Sequence, residues 1–285
     1  MRIIQLSILL LVSGVVQAQY WIGPKFGYHL TLNDYQDPEY KKDYRITKDH
    51  DFEAGIVVTY TATERYAVHG ELYYDQVGNR VRNKENFYVD SQSTFRYLSF
   101  PILLRVSMGH TPVHWYLNGG PKLSLWLGGK GYLEYSDDES INSDGIERID
   151  YKIGFDPSKA DGISNGVFLV NEPNRIQYSL TVGGGFYLDL ANGARVMVDG
   201  RFNWGHSNMG FNLGVDEDGA SKAILVGSAN NIPVAGYQEN YEYSHTNLSV
   251  SVAYMFEYNT QLKRKGGSTV DASNKNKKAV KKKKK

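Results

Sequence analysis

The chain has 285 residues, of which 41% are hydrophobic and 22% are charged. This composition is too polar for a bundle of membrane helices and too rich in order-promoting residues for a disordered protein. Because the chain contains no cysteine, a disulfide framework, a catalytic thiol, a thiolate metal site and a lipoprotein anchor are all excluded.

Residues 1–18 predict a cleaved secretory signal peptide. Arg2 supplies a short positive region, Ile3–Val16 is largely apolar, and Val16 and Ala18 put small residues at the positions that signal peptidase reads. The alternative is an uncleaved anchor, which needs about 20 apolar residues, and this run is shorter. We therefore expect the mature protein to begin at Gln19.

Beyond the signal, apolar and polar residues alternate with a period of two, which is typical of β-strands, and no helical period is sustained. Each alternating segment is long enough to cross a bilayer as a tilted strand, which takes about 9–11 residues. The segments are Tyr20–Thr31, Phe52–Thr61, Tyr66–Val77, Phe95–Ser107, Val113–Leu127, Ile176–Leu190, Arg195–His206 and His245–Tyr258.

The connections between these segments alternate in length. Three are short enough for hairpins, namely Thr63–Arg65, Gly109–Pro112 and Ala191–Ala194. The others are long, at 32–51, 78–94, 128–175 and 207–244. Short turns at one end and long loops at the other are typical of outer-membrane barrels. We therefore predict an all-β fold, an eight-stranded antiparallel up-and-down transmembrane β-barrel with long extracellular loops, formed by residues 19–258 in the outer membrane of a Gram-negative bacterium.

Aromatic residues support a membrane setting for this barrel. They recur eight residues apart on the apolar faces of four segments, as Tyr20/Tyr28, Phe52/Tyr60, Tyr66/Tyr74 and Tyr178/Phe186. Eight tilted residues span roughly 20 Å, which approaches the apolar band of about 25 Å between two aromatic girdles. The pattern predicts that lipid covers this face and that the 22 tyrosines lie disproportionately at strand ends, as girdles at the membrane interface.

The opposite face carries charged residues of both signs. They are Lys25, Glu53, Glu71, Asp75, Arg105, Lys122, Asp189, Arg195, Asp199 and Arg201. An eight-stranded barrel is only wide enough to be filled by side chains, and charges in such an interior must pair. The balance favours a closed, ion-paired interior over a conducting pore. The alternative is a pair of half-exposed sheets whose charges balance by chance.

Residues 259–285 predict a disordered, lysine-rich periplasmic tail. Lys263–Lys285 contains eleven Lys or Arg and one Asp, so its net charge is +10, and the residues between signal and tail carry −10. The expected partner-binding residues are Lys263, Arg264, Lys265, Lys277, Lys278, Lys281 and Lys285. We expect an anionic periplasmic partner such as peptidoglycan or an acidic envelope protein, or else a merely solubilising end. Nucleic acid is not expected, because the tail has no interleaved aromatic residues and the protein is exported.

Two segments resemble a known family. One reads Tyr-Leu-Ser-Phe-Pro-Ile-Leu-Leu-Arg from Tyr97 to Arg105, and the other carries Gly-Gly-Pro at residues 119–121. Both resemble the PorT-like outer-membrane β-barrel proteins of Bacteroidetes, and the motif residues are Tyr97, Pro101, Arg105, Gly120 and Pro121. The resemblance implies an outer-membrane barrel related to a component of type IX protein secretion. The chain departs from many barrels by continuing past Tyr258, so we expect an internal assembly signal.

The functional prediction is a non-enzymatic barrel that binds another envelope component through its loops or its tail, as an accessory to protein secretion. One alternative is a lipid or peptide hydrolase at the rim, using His206, Ser207 and His245, with His29 and Asp75 on the inward faces. Such an enzyme needs its nucleophile within about 3 Å of a base. The other alternative is a passive pore.

No cofactor, metal ligand or catalytic residue is predicted. The acidic loop 128–175 could attract calcium, but its spacing matches no known calcium motif, and a hydrated surface is favoured. The apolar patches Val167–Val170 and Ala223–Val226 are expected to pack together over the barrel mouth, or else to bind a partner. Gly183–Gly185 is not a phosphate loop, because the strand pattern continues on both sides.

Overall fold

The computed structural model of the protein describes residues 19–83, 88–110, 112–136, 147–155, 167–170, 173–209, 225–226 and 243–258. The predicted signal peptide and the lysine-rich tail lie outside these residues. One short helix, α1 (Pro38–Asp43), lies in the described part of the chain, and no helix there is long and apolar enough to cross a bilayer.

Almost all other described residues belong to β-strands. The strands are β1 (Gln19–Tyr35), β2 (Tyr44–Thr47), β3 (Asp49–Thr61), β4 (Tyr66–Asn83), β5 (Tyr88–His110), β6 (Val113–Ser136), β7 (Glu147–Gly154), β8 (Val167–Val170), β9 (Ile176–Asp189), β10 (Ala194–Gly205), β11 (Leu225–Val226) and β12 (Tyr243–Tyr258). Within the described residues, eight of these strands close into a ring in the order β1, β3, β4, β5, β6, β9, β10 and β12.

Every pairing in the ring is antiparallel, including the closing pair of β12 with β1. This ring confirms the predicted eight-stranded barrel. Because a closed ring has no open edge, each wall strand finds its hydrogen-bond partners on both sides, as a hydrocarbon environment requires.

The short turns, the start of β1 and the end of β12 share one end of the barrel. Tyr20 of β1 is the register partner of Tyr258, and the turns 62–65 and 190–193 lie at the same end, as do the paired residues His110 and Val113 of β5 and β6. In the last of these turns Gly193 has φ +83°, a left-handed conformation that glycine adopts without a steric cost. This is the periplasmic end, since outer-membrane barrels keep their short turns there.

At the other end the strands run further than the sequence pattern predicted. Strands β5 and β6 have 23 and 24 residues, and the predicted loop 78–94 is mostly strand, with only 84–87 between β4 and β5. Beyond the barrel, β2 pairs with β4, β7 with β6, and β8 with β7. The sequence pattern predicted strand ends that lie before the observed ones. The reason is that the outward-facing residues become polar where the strands leave the membrane.

The two apolar patches of the long loops are neighbours in this extracellular sheet. Val167–Val170 forms β8 and Leu225–Val226 forms β11, and the two strands pair with Leu225 opposite Val170. The pairing places the patches beside each other at the extracellular end of the barrel.

The outward face of the wall is apolar, as the alternation predicted. Leu104 is 70% exposed and Phe26 is 65% exposed, and the paired aromatic residues of the predicted girdles all lie on this side. Such exposure is unfavourable in water over so large an area, and a bilayer covers it.

The tyrosines, however, do not belong mainly to the girdles. In the described part of the chain nine of them are buried inside the molecule, and these are Tyr35, Tyr40, Tyr44, Tyr73, Tyr97, Tyr116, Tyr151, Tyr187 and Tyr243. The sequence prediction therefore overestimated the share of tyrosines at the membrane interface. A tyrosine suits the interior equally well, because its ring fills volume and its hydroxyl joins polar networks.

Candidate functional site

The barrel interior is filled in three layers by the described side chains. A small apolar cluster that includes Trp21, Tyr187 and Met255 lies at the periplasmic end. A larger cluster of aromatic residues lies at the extracellular end. Between them is a layer of charged residues, which we call the charge layer, that holds eight of the ten predicted interior charges. They are Lys25, Glu53, Glu71, Asp75, Arg105, Lys122, Asp199 and Arg201, and all are buried.

Ion pairs connect the members of the charge layer. Lys25 Nζ lies 2.8 Å from Glu53 Oε1 and 2.8 Å from Glu71 Oε2. Arg201 donates to both carboxylate oxygens of Glu71, at 2.8 and 2.7 Å, and it also pairs with Asp199. A charge in this interior is costly unless it is paired and hydrogen-bonded, and Glu71 meets that condition with bonds from both Lys25 and Arg201.

Two basic members of the layer have further partners. Lys122 Nζ lies 3.1 Å from Asp75 Oδ2, while the guanidinium of Arg105 lies 4.1 Å from the ring centre of Tyr116. With these residues the charge layer contains four acids and four bases, so its formal charges balance.

The last predicted interior pair lies at the periplasmic rim. Arg195 Nε donates to Asp189 Oδ1 at 2.7 Å, and its guanidinium sits 3.9 Å from the rings of both Trp21 and Tyr187. This pair borders an open vestibule of about 820 Å³. Tyr187 of the apolar cluster lines the vestibule, and the eight residues of the charge layer are not among its described lining residues.

Sequence reasoning missed a histidine in the charge layer. His69 is fully buried; its Nδ1 lies 2.7 Å from Thr59 Oγ1 and its Nε2 lies 2.7 Å from Glu71 Oε1. The arrangement has the connectivity of a nucleophile, a base and an orienting acid. Arg105 Nη2 is also 2.9 Å from Nδ1, and Thr59 is only 1% exposed, so these groups contact one another and not solvent.

His29, Glu53 and Asp75 form the cluster in the described residues that most resembles a metal site. One ring nitrogen and one carboxylate oxygen from each acid lie within 4.8 Å of one another, and zinc accepts such donors. Both carboxylates, however, already pair with Lys25 or Lys122 at 2.8 and 3.1 Å. These ammonium groups supply the positive charge that a cation would bring, so the cluster is better described as part of the charge layer.

A small cavity lies between the charge layer and the extracellular aromatic residues. Asp75, Tyr97, Lys122, Gln177 and His245 are among the residues that line it, and its volume is about 30 Å³. A water molecule needs at least about 10–15 Å³ of such volume, so the cavity has room for ordered water.

Stacked aromatic rings close the extracellular mouth. We call this group the aromatic cap: Tyr35, Tyr40, Tyr44, Phe95, Tyr97, Trp126 and Tyr243, all buried. The ring centres of Tyr35 and Tyr243 are 4.4 Å apart, and those of Tyr40 and Tyr44 are 4.5 Å apart. The cap is built by side chains from several strands and from α1, which pack together at the extracellular end of the barrel.

Each of the three residues predicted at the rim of a hydrolase has a contact partner outside this group of three. The Ser207 hydroxyl accepts from the main-chain N–H of Tyr178 at 2.8 Å. His245 Nδ1 lies 2.7 Å from Asn33 Oδ1, and the exposed His206 ring lies 4.3 Å from that of Trp204. The three side chains thus support the mouth of the barrel, and their contacts do not form a nucleophile and base.

The family-motif residues lie within the wall and the interior. Tyr97 belongs to the aromatic cap, where it accepts a hydrogen bond from Gln177 Nε2 at 3.2 Å. Pro101 and Arg105 face inward on β5. On β6, a side chain at Gly120 would collide with the carbonyl of Ile102, so glycine allows the two strands to approach here. Pro121 faces outward.

The glycine run of β9 makes room for interior side chains. Gly183 is the register partner of Arg201, and a Cβ at residue 183 would lie 2.7 Å from Arg201 Cγ. A Cβ at residue 185 would lie 2.9 Å from the hydroxyl of Tyr116. The absence of side chains at these positions lets Arg201 and Tyr116 fill the interior, which is the close approach that glycine in strands permits.

Comparison with known proteins identifies the family. Residues 17–210 match the family model described as outer membrane protein beta-barrel domain. A search of curated proteins finds no significant match.

Several solved barrels resemble this structure. The outer membrane protein OprG from Pseudomonas aeruginosa covers 85% of this chain and 97% of its own, with 11% identity and a TM-score of 0.38. Ail, the attachment invasion locus protein of Yersinia pestis, covers 83% and 98%, with 12% identity and a TM-score of 0.32. The outer membrane protease OmpT from Escherichia coli covers 85% and 95%, with 10% identity and a TM-score of 0.35. At these values, none of the three bears on what this chain binds.

The family match covers more than half of the chain, and it includes most of a closed eight-stranded ring whose outward face is apolar. The chain belongs to the outer membrane protein β-barrel domain family and resides in the outer membrane.

Proposed function

We propose that this protein is a non-enzymatic outer-membrane barrel that binds another envelope component, through its extracellular side or its basic periplasmic tail, as a PorT-like accessory of protein secretion. The observation that carries the proposal is the filled interior, with its apolar cluster, charge layer and aromatic cap. A barrel whose interior is occupied by its own side chains acts through the surfaces at its two ends.

The extracellular side offers a surface that is held in place by strands and by the aromatic cap. Strands β4, β5 and β6 continue out of the membrane, and the aromatic cap packs against them. Binding residues tend to lie on loops that a rigid scaffold holds in place, and this sheet is such a scaffold.

The tail offers a second surface of a different kind. Its net charge is +10, whereas the mature barrel carries −10. The attraction between the tail and an anionic partner on the periplasmic side is therefore strong at low ionic strength. Peptidoglycan carboxylates and an acidic envelope protein both have the required charge.

The PorT-like assignment rests on the motif residues and on their positions. Tyr97 and Arg105 are buried in the cap and the charge layer, and Gly120 lets β5 and β6 approach. These positions are structural, which is consistent with a motif that preserves a barrel type. The hydrolase and the pore have no comparable support, since Ser207 and His245 bond to other groups and the interior is filled.

The proposal is tested with purified peptidoglycan and with envelope extracts. The intact mature protein, a version ending at Leu262 and a version with the seven predicted tail residues changed to Gln are compared for co-sedimentation with peptidoglycan. Loss of sedimentation in both variants would support the tail. Unchanged sedimentation would exclude it and leave the extracellular side, which is tested by cross-linking in whole cells.

Each variant must first show the altered migration of a folded barrel in SDS without boiling. Deletion of the gene then tests the secretion role: normal export of secreted cargo in the deletion strain would reject it, whichever surface binds.

A further inference from the structure

Three cations lie together on the outward face of the extracellular sheet. Lys130 of β6 is the direct register partner of Lys152 of β7 and, on its other side, of Thr94 of β5. Arg96 follows two residues after Thr94 and points the same way, so it is a diagonal neighbour of Lys130. All three side chains are exposed. We call Arg96, Lys130 and Lys152 the basic patch.

The basic patch lies directly outside the apolar band. Leu98, two residues from Arg96 on the same face, is exposed on the wall, and so are Leu125 and Leu127 on β6 just before Lys130. Two residues of strand advance about 7 Å. The charged groups are therefore at the depth of the lipid headgroups in the outer leaflet, with their aliphatic stems close to the hydrocarbon.

Nearby arginines are ion-paired with described carboxylates, whereas the members of the basic patch are not. Arg80 and Arg82 pair with Asp90 at 2.8 and 2.5 Å, and Arg148 pairs with Glu134 and Asp150 at 3.1 and 2.9 Å. Within the described residues, no carboxylate forms an ion pair with a member of the basic patch. Like charges directly opposite each other, as in Lys130 and Lys152, destabilise a sheet, and an external anion would reverse that effect.

The basic patch is confined to one flank. Across the barrel, the outward positions beyond the band on β1 and β12 are Leu32, Asp34, Ser244 and Thr246. None of these four residues is a cation. A general attraction to the membrane surface would not require this asymmetry, whereas a site for one bound lipid would.

We propose that the basic patch binds the phosphate groups of an outer-leaflet glycolipid, the lipid A part of lipopolysaccharide. The arginine fork matches two phosphate oxygens at once, and the lysines add point charges on either side of the same group. The neighbouring leucines contact the acyl chains of that lipid. This site is independent of the proposed envelope partner, because it lies on the lipid-facing flank.

The test uses the full mature protein, refolded in a nonionic detergent, and native mass spectrometry to count bound lipid during titration. The probes are bis-phosphorylated lipid A, the same lipid after removal of both phosphates, and inorganic phosphate as a competitor. The triple variant R96Q/K130Q/K152Q is compared with R45Q/K48Q/R65Q, which removes three exposed cations elsewhere. Altered migration in unboiled SDS verifies folding.

We expect wild type and the control variant to bind phosphorylated lipid A with similar affinity. The patch variant should bind it more weakly by roughly fivefold for each cation removed. Equal binding of the two lipids by wild type, or equal loss in both triple variants, would overturn the proposal. So would displacement of the lipid by inorganic phosphate at equal concentration. If the triple variant does not fold, Lys130→Gln and the wild-type comparison of the two lipids decide the question.

Discussion

Arg201 and Glu71 face each other across the barrel interior and form a bidentate ion pair, with both nitrogen–oxygen distances between 2.7 and 2.8 Å. They are 130 residues apart in sequence, and their strands, β10 and β4, lie on opposite sides of the eight-stranded ring. The pair therefore connects two walls that share no backbone hydrogen bonds.

Removal of one partner of this pair should destabilise the barrel strongly. The change Glu71→Gln leaves Arg201 and Lys25 short of a negative charge in a buried layer, and such a loss costs about 3–5 kcal/mol. Urea unfolding in lipid vesicles, followed by tryptophan fluorescence, measures the difference. Glu134→Gln, which breaks an exposed pair with Arg148, is the matched control and should change the midpoint little. Equal effects of the two substitutions would contradict a structural role for the layer.

Asp90 should make the extracellular hairpin of β4 and β5 sensitive to acid. Burial alone would raise the pKa of its carboxyl, but hydrogen bonds from Arg80 and Arg82 outweigh it and lower the pKa below 3.8. A lowered pKa means that the pair contributes stability above the usual carboxyl range and loses it as the pH falls through the lowered value. Hydrogen exchange of the hairpin amides should therefore differ between wild type and Asp90→Asn at pH 7, and the difference should shrink as the pH falls below the usual carboxyl range. A difference that persists in acid would show that the charge is not its cause.

A charge on the outward face should be costly only within the apolar band. Ile102 is exposed on β5 midway between the register partners of Tyr74 and Tyr66, and Ile102→Arg should lower stability in vesicles by about 2–4 kcal/mol. Thr246→Arg, on the outward face of β12 beyond the band, is the control and should cost much less. Similar costs at both positions would argue against the membrane boundary placed here.

The filled interior predicts a barrel that does not conduct. Planar bilayers containing the folded protein should show the ion current of protein-free bilayers, since described side chains of the cap and the charge layer fill the barrel interior. Trp126→Gly together with Tyr97→Gly removes two rings of the cap and tests whether the charge layer alone still blocks the current. Stepwise increases of the current with the wild-type protein would instead support a passive pore.

The sequence predicted the antiparallel barrel and its lipid-facing side. It could do so because the outward face of each wall strand contacts hydrocarbon along its length. The alternation around Phe26 or Leu248 reflects that single environment. Outside the bilayer no such boundary exists, so the strand continuation at Arg80–Asn83 appeared to be loop. The sequence pattern likewise did not indicate whether Tyr35 and Tyr243 lie in the membrane-interface girdles or in the barrel interior.

The interior contacts depend on information that periodicity does not contain. The alternation placed Arg201 and Glu71 on the inward face, but their partnership depends on the stagger of eight strands around the ring. His69 was overlooked although it shares the inward face of β4 with Glu71, and its other partner, Thr59, comes opposite it only once β3 and β4 are in register. The grouping of Arg96 with Lys130 and Lys152 could not be predicted either, because it depends on the register of β5, β6 and β7.

The last wall pairing, between β1 and β12, unites the most distant parts of the sequence. Its register partners Asn33 and His245 are 212 residues apart, so closing this seam restricts a very long segment of chain and is expected to be slow. Until β12 arrives, β1 and β10 each present an edge of unpaired N–H and C=O groups, which hydrocarbon does not tolerate. Barrel closure is therefore the step at which an assembly factor has most to contribute, by covering those two edges while the chain is still incomplete.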